Sequence, residues 1–520
     1  MTNDEVKTSR QACPSPCHSE RGKRVEESLR AEGVVRIVAA ALFTIGVVLA
    51  PGCKKPNHAP DTPAVPSGPT SCAVGVEYTF SSSAEDSTGE DVAIRFDWGD
   101  GDTSQWSTWV RPGDTMTMGH SWTVPGTCDV RVQARARSSA TSDWSGAIAV
   151  GRYHEWIRVY GGALEDEGWS VQQTQDGGYI VTGSNRSYGA GESDVWLLKV
   201  DADGDTAWTR TFGGAHYDWG KSIQQTRDGG YIIAGGTCSH SGNFPDVLLI
   251  KTDDAGNQDW ERVFGGNEYD QGFSVQQTED GGYVAAGYNR SSGAGGIWLL
   301  KTDAYGDTVW TRTFGQRGSE GRSVRQTWDG GYVFAALPSF DSDSAIWLAK
   351  TDASGGMSWT RAFGSWANEY SGMSVQQTQD GGYVVVGTTC SDREGPGDVL
   401  LVKTDSLGED IWVRTFGGER DDWGNSVQQT RDGGYIVVGN TSSYIAAGFD
   451  VWLIKTDANG DTVWTRTFGV GHDDMGYSVQ QTRDGGYVVT GSTESHEDDF
   501  TDLLLIKTDP EGRVDEGGGK

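Results

Sequence analysis

The stretch SVQQTRDGGYIVVG, residues 426–439, decides the fold of this chain. It predicts a short strand over residues 426–430, a turn at residues 432–434 where glycine permits positive φ, and a second strand over residues 435–439. The apolar run DVWLIK at residues 450–455 is typical of a strand buried on both faces. A turn at residues 457–461 leads to a fourth strand over residues 463–468. One unit of this sequence therefore predicts four consecutive strands.

The unit recurs seven times. Its tyrosine returns every 49 to 52 residues, as Tyr179, Tyr231, Tyr283, Tyr332, Tyr383, Tyr435 and Tyr487. Its lysine begins a Lys-Thr-Asp element or variant at Lys199, Lys251, Lys301, Lys350, Lys403, Lys455 and Lys507. Repeats of this length with several strands each are the signature of a β-propeller, here over residues 154–513.

The ends of the repeat array are unequal. The seventh repeat stops after residues 507–509 without the tryptophan strand that ends the other repeats, and a spare strand with Trp156 precedes the first, at residues 154–160. We expect this N-terminal strand to complete the last blade and close the ring.

Residues 70–150 predict a separate β-domain, with strands over residues 76–81, 92–98, 115–122 and 128–136. The segments FDWGDGD, residues 96–102, and HSWTVPGTCDVRVQARA, residues 120–136, resemble the two hallmark segments of PKD-type domains, which are immunoglobulin-like sandwiches. The resemblance implies a spacer rather than a catalyst. The repeats likewise resemble exported propeller proteins of bacteria and archaea, so the expected fold class is all-β: a PKD-like sandwich followed by a seven-bladed propeller.

The N-terminal region predicts export. Residues 37–51 form an apolar run of signal-peptide length, and the APGC sequence at residues 50–53 resembles the lipobox of bacterial lipoproteins. By that resemblance Cys53 carries lipid and the protein is anchored at the cell surface; a secreted soluble product and a retained membrane anchor are the alternatives. The expected order is an extension without a fold (1–33), a signal peptide (34–52), a proline-rich tether (53–69), the two domains, and a disordered tail (514–520).

The net charge of −31 argues against nucleic acid, because binding to phosphate needs basic side chains. It also argues against an anionic membrane surface, so membrane contact is expected only through the lipid. We expect a monomer whose partner is a glycan or a protein.

Two cysteines of the predicted sandwich, Cys72 and Cys128, are candidates for a disulfide, and separate thiols are the alternative.

Ligand-binding candidates gather in the loops before the first and third strands of each blade. Carboxylates beside aromatic rings suit sugars or cations, whereas aspartates that only cap loops are the structural alternative. The candidates are Asp166, Asp218, Asp270, Asp422 and Asp474, with Asp194, Asp246, Asp398, Asp450 and Asp502, and the aromatic residues Trp169, Trp219 and Trp423.

Other distinctive residues recur once per repeat and are better explained by folding. An arginine lies two residues after each repeat tryptophan, where it can cover the ring. The paired glutamines of SVQQT suit hydrogen bonding between inner strands. The turn at residues 201–205, DADGD, and Asp97, Asp100 and Asp102 resemble calcium ligands, but hairpin turns explain them better. We therefore expect no cofactor, with Ca²⁺ as the alternative.

The fourth repeat departs most from its siblings, with Arg322, Arg325 and Trp328 among its changes. Functional asymmetry and drift explain these changes equally well.

No catalytic motif is present: there is no G-x-S-x-G elbow and no HExxH helix. We therefore expect a non-enzymatic surface protein for binding or adhesion. The alternatives are a polysaccharide hydrolase or lyase using loop carboxylates, and a purely structural envelope component.

Overall fold

The computed structural model describes residues 58–240, 244–293, 295–339, 346–365, 373–390, 395–445, 448–494 and 500–514. Every regular element in these ranges is a β-strand. No helix long and apolar enough to cross a membrane occurs in them. The predicted signal peptide, Cys53 and nearly all of the predicted tail lie outside the described residues.

The first domain is a two-sheet sandwich, as predicted. One sheet has the order β1-β6-β5-β3, and β2 pairs with β4. Phe80, Phe96, Trp98, Trp122 and Val132 form its buried core. Its six strands are β1 (Ser71–Ala73), β2 (Tyr78–Ser82), β3 (Val92–Asp97), β4 (Met116–His120), β5 (Gly126–Ala136) and β6 (Ile148–Tyr153).

The predicted tether is partly built into this sandwich. Pro60, Pro63 and Pro66 are buried at every third position, which is the period of a polyproline helix. The Ala64 N–H donates to the carbonyl of Ser83 at 3.0 Å. A free tether therefore cannot extend to residue 69, because residues 60–67 already pack along β2.

The candidate disulfide between Cys72 and Cys128 is wrong for this fold. Both side chains are buried, but Cys72 lies on β1 and Cys128 on β5, and β6 runs between them. Two strand spacings separate the cysteines by about 10 Å, which exceeds the span of a disulfide.

The second domain is a ring of seven four-stranded antiparallel sheets, the predicted β-propeller. Strand β7 (Trp156–Tyr160) precedes the first blade. Blades one to three are β8 to β11 (Asp166–Gln173, Tyr179–Asn185, Asp194–Val200, Thr206–Phe212), β12 to β15 (Asp218–Gln225, Tyr231–Thr237, Asp246–Thr252, Gln258–Phe264) and β16 to β19 (Asp270–Gln277, Tyr283–Asn289, Gly296–Thr302, Thr308–Phe314). Blades four and five are β20 to β23 (Glu320–Gln326, Tyr332–Leu337, Ile346–Thr351, Met357–Phe363) and β24 to β27 (Ser374–Gln377, Tyr383–Cys390, Gly397–Thr404, Asp410–Phe416). Blade six is β28 to β31 (Asp422–Gln429, Tyr435–Thr441, Asp450–Thr456, Thr462–Phe468), and blade seven contains β32 to β34 (Asp474–Gln481, Tyr487–Glu494, Thr501–Thr508).

The N-terminal strand closes the ring, as predicted. Strand β7 is the outermost strand of blade seven and pairs antiparallel with β34, with Arg158 opposite Leu505 and Trp156 opposite Lys507. The two ends of the propeller therefore share one sheet, which removes the free edges.

One ion pair recurs in every blade. The lysine of the Lys-Thr-Asp element is buried and lies 2.8–3.0 Å from the aspartate of the Asp-Gly-Gly turn. In blade one this is Lys199 with Asp176, whose carboxylate also accepts from Thr174 and from the Gly178 N–H. The repeated lysine and turn therefore form one structural unit.

The repeated arginines cover tryptophan rings, as predicted. Each guanidinium carbon lies 5.2–5.8 Å from the ring centre of the tryptophan two residues earlier. The calcium-like turn of the following blade packs on the same ring: Gly204, at φ +82°, leaves no room for a Cβ beside Trp156. Asp201 accepts from the N–H groups of Asp203 and Asp205, as in a hairpin turn.

Candidate functional site

The sequence Gly-x-Ser occurs once in each repeat, within or directly before the innermost strand, and the residue x differs in all seven repeats. In six blades the register shifts between the glycine and the serine, so x is the extra residue of a β-bulge. Bulges redirect side chains and are common next to binding sites. The seven residues, which we call the mouth ring, are Trp169, Lys221, Phe273, Arg322, Met373, Asn425 and Tyr477.

The mouth ring lines a cavity of about 420 Å³. Trp423, Asn440 and Met475 complete its wall. This volume and mixture of aromatic and polar groups are those of a small-ligand pocket. We call it the mouth pocket.

One wall of the mouth pocket is a stack of three side chains. Trp169 stacks on Tyr477 with 4.2 Å between ring centres, and the Lys221 Nζ lies 2.9 Å from the centre of the Trp169 ring. Burial lowers the pKa of Lys221 to about 7, and nearby Glu167 partly opposes this shift. Burial also raises the pKa of Tyr477 well above its ordinary value. Lys221 therefore changes charge near neutral pH, while Tyr477 stays protonated.

A second cation completes the mouth ring. The Arg322 guanidinium lies 4.4 Å from the centre of the Phe273 ring and 2.6 Å from the Glu320 carboxylate. Asn425 donates to the carbonyl of Gly476 at 2.7 Å, which fixes its amide at the wall. The pocket therefore offers two cations and several ring faces.

Carboxylates lie beside this pocket rather than in its wall. Glu165, Glu167 and Trp219 line a neighbouring cavity of about 270 Å³, which shares Trp169 and Lys221 with the mouth pocket. Trp169, Trp219 and Trp423, all predicted from sequence, thus line one or other cavity.

The predicted aspartates have a different environment. Asp166, Asp218, Asp270, Asp422 and Asp474 have no exposed surface, and Asp194 and Asp246 are nearly as buried, whereas Asp398, Asp450 and Asp502 are partly exposed. Their contacts are with loop backbone: Asp166 accepts from the Gly162 N–H at 2.8 Å and the Arg186 N–H at 3.0 Å. For the buried members this corrects the prediction of direct ligand contact, because a carboxylate enclosed by its own loop supports that loop.

Four of these aspartates form two close pairs between blades. Burial raises the pKa of Asp398, and the charge of Asp422 raises it further. Asp450 and Asp474 repeat this arrangement. A glycine separates the carboxylates of each pair, since a Cβ at Gly417 would strike both Asp398 and Asp422.

The predicted calcium alternatives are hydrogen-bonded turns. In the sandwich, Asp97 accepts from the Gly99 N–H at 3.1 Å, and Asp100 accepts from the Asp102 N–H at 3.0 Å. The described ranges contain no group of three or more His, Cys, Asp or Glu residues placed to hold a metal ion.

Sequence reasoning identified Trp169 but not the mouth ring to which it belongs. An alignment of the seven repeats contains the signal that could have identified it. One position, between a constant glycine and a constant serine, carries a different residue in every repeat. Burial and charge patterns do not reveal this position, because its seven residues belong to different chemical classes.

One family model matches part of the chain. The PKD domain model matches residues 63–147. The PKD domain of an M14-like peptidase from a Thermoplasmatales archaeon is 28% identical, with 18% of this chain and 97% of that one covered and a TM-score of 0.18. The β-propeller domain of the Trilobed protease from Pyrococcus furiosus is 10% identical, with coverages of 70% and 99% and a TM-score of 0.38. No curated protein matches the chain.

The family match and the strand pairing lead to the same division of the chain. Residues 63–147 are a PKD domain, and the strands from Trp156 to Thr508 form a seven-bladed β-propeller closed by its N-terminal strand.

Proposed function

We propose that this protein is a cell-surface binding protein that holds an acidic glycan in the mouth pocket. The observation that carries the proposal is the mouth ring: seven different side chains occupy one position whose flanking glycine and serine are constant. Residues needed only for the fold repeat with the fold, so a position that is different in every blade points to a single asymmetric ligand.

The chemistry of the pocket selects the ligand class. Sugar rings present apolar faces that pack on aromatic side chains, and Trp423 supplies an aromatic ring to the pocket wall outside the stack of Trp169. Lys221 and Arg322 supply positive charge within a chain of net charge −31. Arginine in particular binds a carboxylate through two parallel hydrogen bonds. A sugar carrying a carboxylate or a sulfate therefore fits better than a neutral one.

The location at the cell surface is part of this proposal. It depends on lipid attachment at Cys53, which lies outside the described residues. The sandwich then acts as a spacer between the anchor and the propeller, and the protein acts as a monomer because one propeller holds a complete mouth ring.

A polysaccharide hydrolase or lyase is the second candidate. Such enzymes need an acid and a base on opposite sides of the bond. Glu167 and Glu320 are the carboxylates next to the pocket, but Glu320 is paired with Arg322 and Glu167 faces the neighbouring cavity. The geometry favours binding over cleavage.

The test is a glycan array that carries carboxylated, sulfated and neutral sugars. We expect saturable binding to an acidic glycan by the purified protein. Trp169→Ala and Lys221→Gln should weaken this binding at least about tenfold, since each removes a contact worth more than about 1.4 kcal/mol. Trp328→Ala is the matched control, because Trp328 is exposed at the other end of an innermost strand.

Four outcomes decide the proposal. Retained binding in both pocket variants contradicts the mouth pocket as the site, and equal loss in Trp328→Ala indicates general destabilisation. Release of reducing ends from a bound polysaccharide favours the enzyme instead. Absence of binding to every glycan rejects the glycan and leaves a protein partner or a structural role.

A further inference from the structure

A second cavity lies further along the same innermost strands. It has a volume of about 190 Å³ and is lined by the serine, valine or isoleucine, and first glutamine of the repeated SVQQT motif. Because these residues directly follow the mouth ring in sequence, this axial cavity lies behind the mouth pocket. One residue of its wall departs from the motif: Arg325 of the fourth blade replaces the first glutamine.

The first glutamines form a hydrogen-bonded ring around the axis. Each side-chain Oε1 accepts the backbone N–H of the second glutamine in the next blade, as Gln172 does from Gln225 at 2.6 Å. Six such bonds, of 2.5–2.7 Å, occur between described residues. The ring therefore consists of one acceptor and one donor at each blade junction.

The junction between blades four and five breaks this pattern. The donor there is the N–H of Gln377, but the residue in the acceptor position is Arg325. A guanidinium has five N–H groups and no acceptor atom. Arg325 therefore cannot accept the Gln377 N–H, and the glutamine ring is interrupted at this junction.

Arg325 also lacks a countercharge. Its guanidinium donates to the carbonyl of Val324 at 2.8 Å and lies 3.5 Å from the hydroxyl of Ser274. Among the described residues no carboxylate forms an ion pair with it. Burial lowers the pKa of Arg325, and no neighbouring charge takes part in this shift. A charge held out of water without a partner is costly.

We propose that the axial cavity binds a small inorganic anion, such as chloride, beside the Arg325 guanidinium. The anion supplies the countercharge that the guanidinium lacks, and the first glutamines of the cavity wall offer side-chain amide donors to it. The cavity is large enough for a halide with its remaining contacts to the glutamine side chains. Lys221 and Arg322 at the mouth make the same axis favourable to anions, although the protein as a whole is acidic.

Thermal unfolding in two sodium salts at equal ionic strength tests this site. We expect the melting temperature of the wild-type protein to be at least about 2 °C higher in chloride than in gluconate, because gluconate is too bulky for a cavity of about 190 Å³. The increase should saturate as the chloride concentration rises. Arg325→Gln should abolish the difference. This variant restores the glutamine that the six other blades carry, so it should fold and should complete the ring.

Bromide soaked into crystals gives an independent measurement. We expect an anomalous peak within hydrogen-bonding distance of the Arg325 guanidinium, and no such peak in Arg325→Gln. Water alone at that position, or a chloride effect that Arg325→Gln retains, would overturn the proposal. Arg322→Gln is the control, because it removes a positive charge at the mouth pocket and leaves Arg325 in place. If Arg322→Gln abolishes the chloride effect and Arg325→Gln does not, the anion binds at the mouth pocket and the proposal is wrong.

Discussion

The two ends of the innermost strands follow opposite rules. At the mouth, seven different residues occupy one structural position. At the other end, the same threonine, aspartate and buried lysine recur in all seven blades, with the lysine and aspartate 2.8–3.0 Å apart. Contacts that each blade needs must repeat, whereas a single ligand on the axis meets a different side chain from each blade. The constant end therefore stabilises the ring, and the variable end is free to serve function.

The strongest test of this division replaces residues 156–160 by a glycine–serine linker of equal length. Strand β7 is the outermost strand of the last blade's sheet and precedes the first blade in the chain, and it buries Trp156. We expect a loss of more than about 4 kcal/mol in unfolding free energy and a less cooperative transition, measured by denaturant unfolding. An unchanged transition would show that the ring closes without β7. Trp328→Ala serves as the control, since it removes an exposed tryptophan of the same size.

Smaller losses are expected from single ion pairs at the constant end. Asp484→Asn should cost about 3 kcal/mol, because Lys507 is fully buried and Asp484 is only 15% exposed. Asp380→Asn should cost about 1 kcal/mol, since 58% of that side chain is exposed and water screens the charge. Urea unfolding at neutral pH measures both, and equal costs would contradict burial as the determining factor.

The same ion pairs predict that the protein loses stability in acid. Bonds from Lys403 and Thr378 lower the pKa of Asp380 to about 2, and Asp329 behaves in the same way. A carboxylate with a lowered folded-state pKa stabilises the native protein above its ordinary pKa, near 4, and this contribution is lost as the pH falls towards 2. Asp380→Asn should therefore lose less stability than the wild type between pH 4 and pH 2.

The smallest effect is expected at the variable end. Lys221→Met should change stability at pH 10 by less than about 1 kcal/mol, because the native lysine is neutral there and methionine keeps the packing on Trp169. The pKa of Lys221 is about 7 in the native protein and near 10.5 when unfolded, so the unfolded state binds more protons between these values. This lysine therefore makes stability rise with pH from 7 to 10. Lys221→Met should remove this rise in unfolding free energy with pH, measured by urea unfolding at several pH values. An unchanged pH dependence would show that another group is responsible for it.

Much of the fold was predictable because it is local and repeated. The spacing of Tyr179 and its equivalents identified seven blades, and the unequal ends of the array identified the closing strand. The tether and the disulfide were predicted less well. Prolines suggest an extended chain but do not show that Pro60, Pro63 and Pro66 pack on a strand, and the positions of Cys72 and Cys128 in sequence do not reveal that β6 separates them.

By itself the sequence determined the seven-fold repeat, the strands of each blade and the structural role of the residues that recur, because those residues make the same short-range contacts in every copy. Only the tertiary structure decided which residues meet on the axis. Trp169 and Tyr477 are about three hundred positions apart, and they stack only because the ring is closed. A β-bulge in six blades turns one side chain towards a common centre, and no pattern within a single repeat specifies that seven such positions share one pocket.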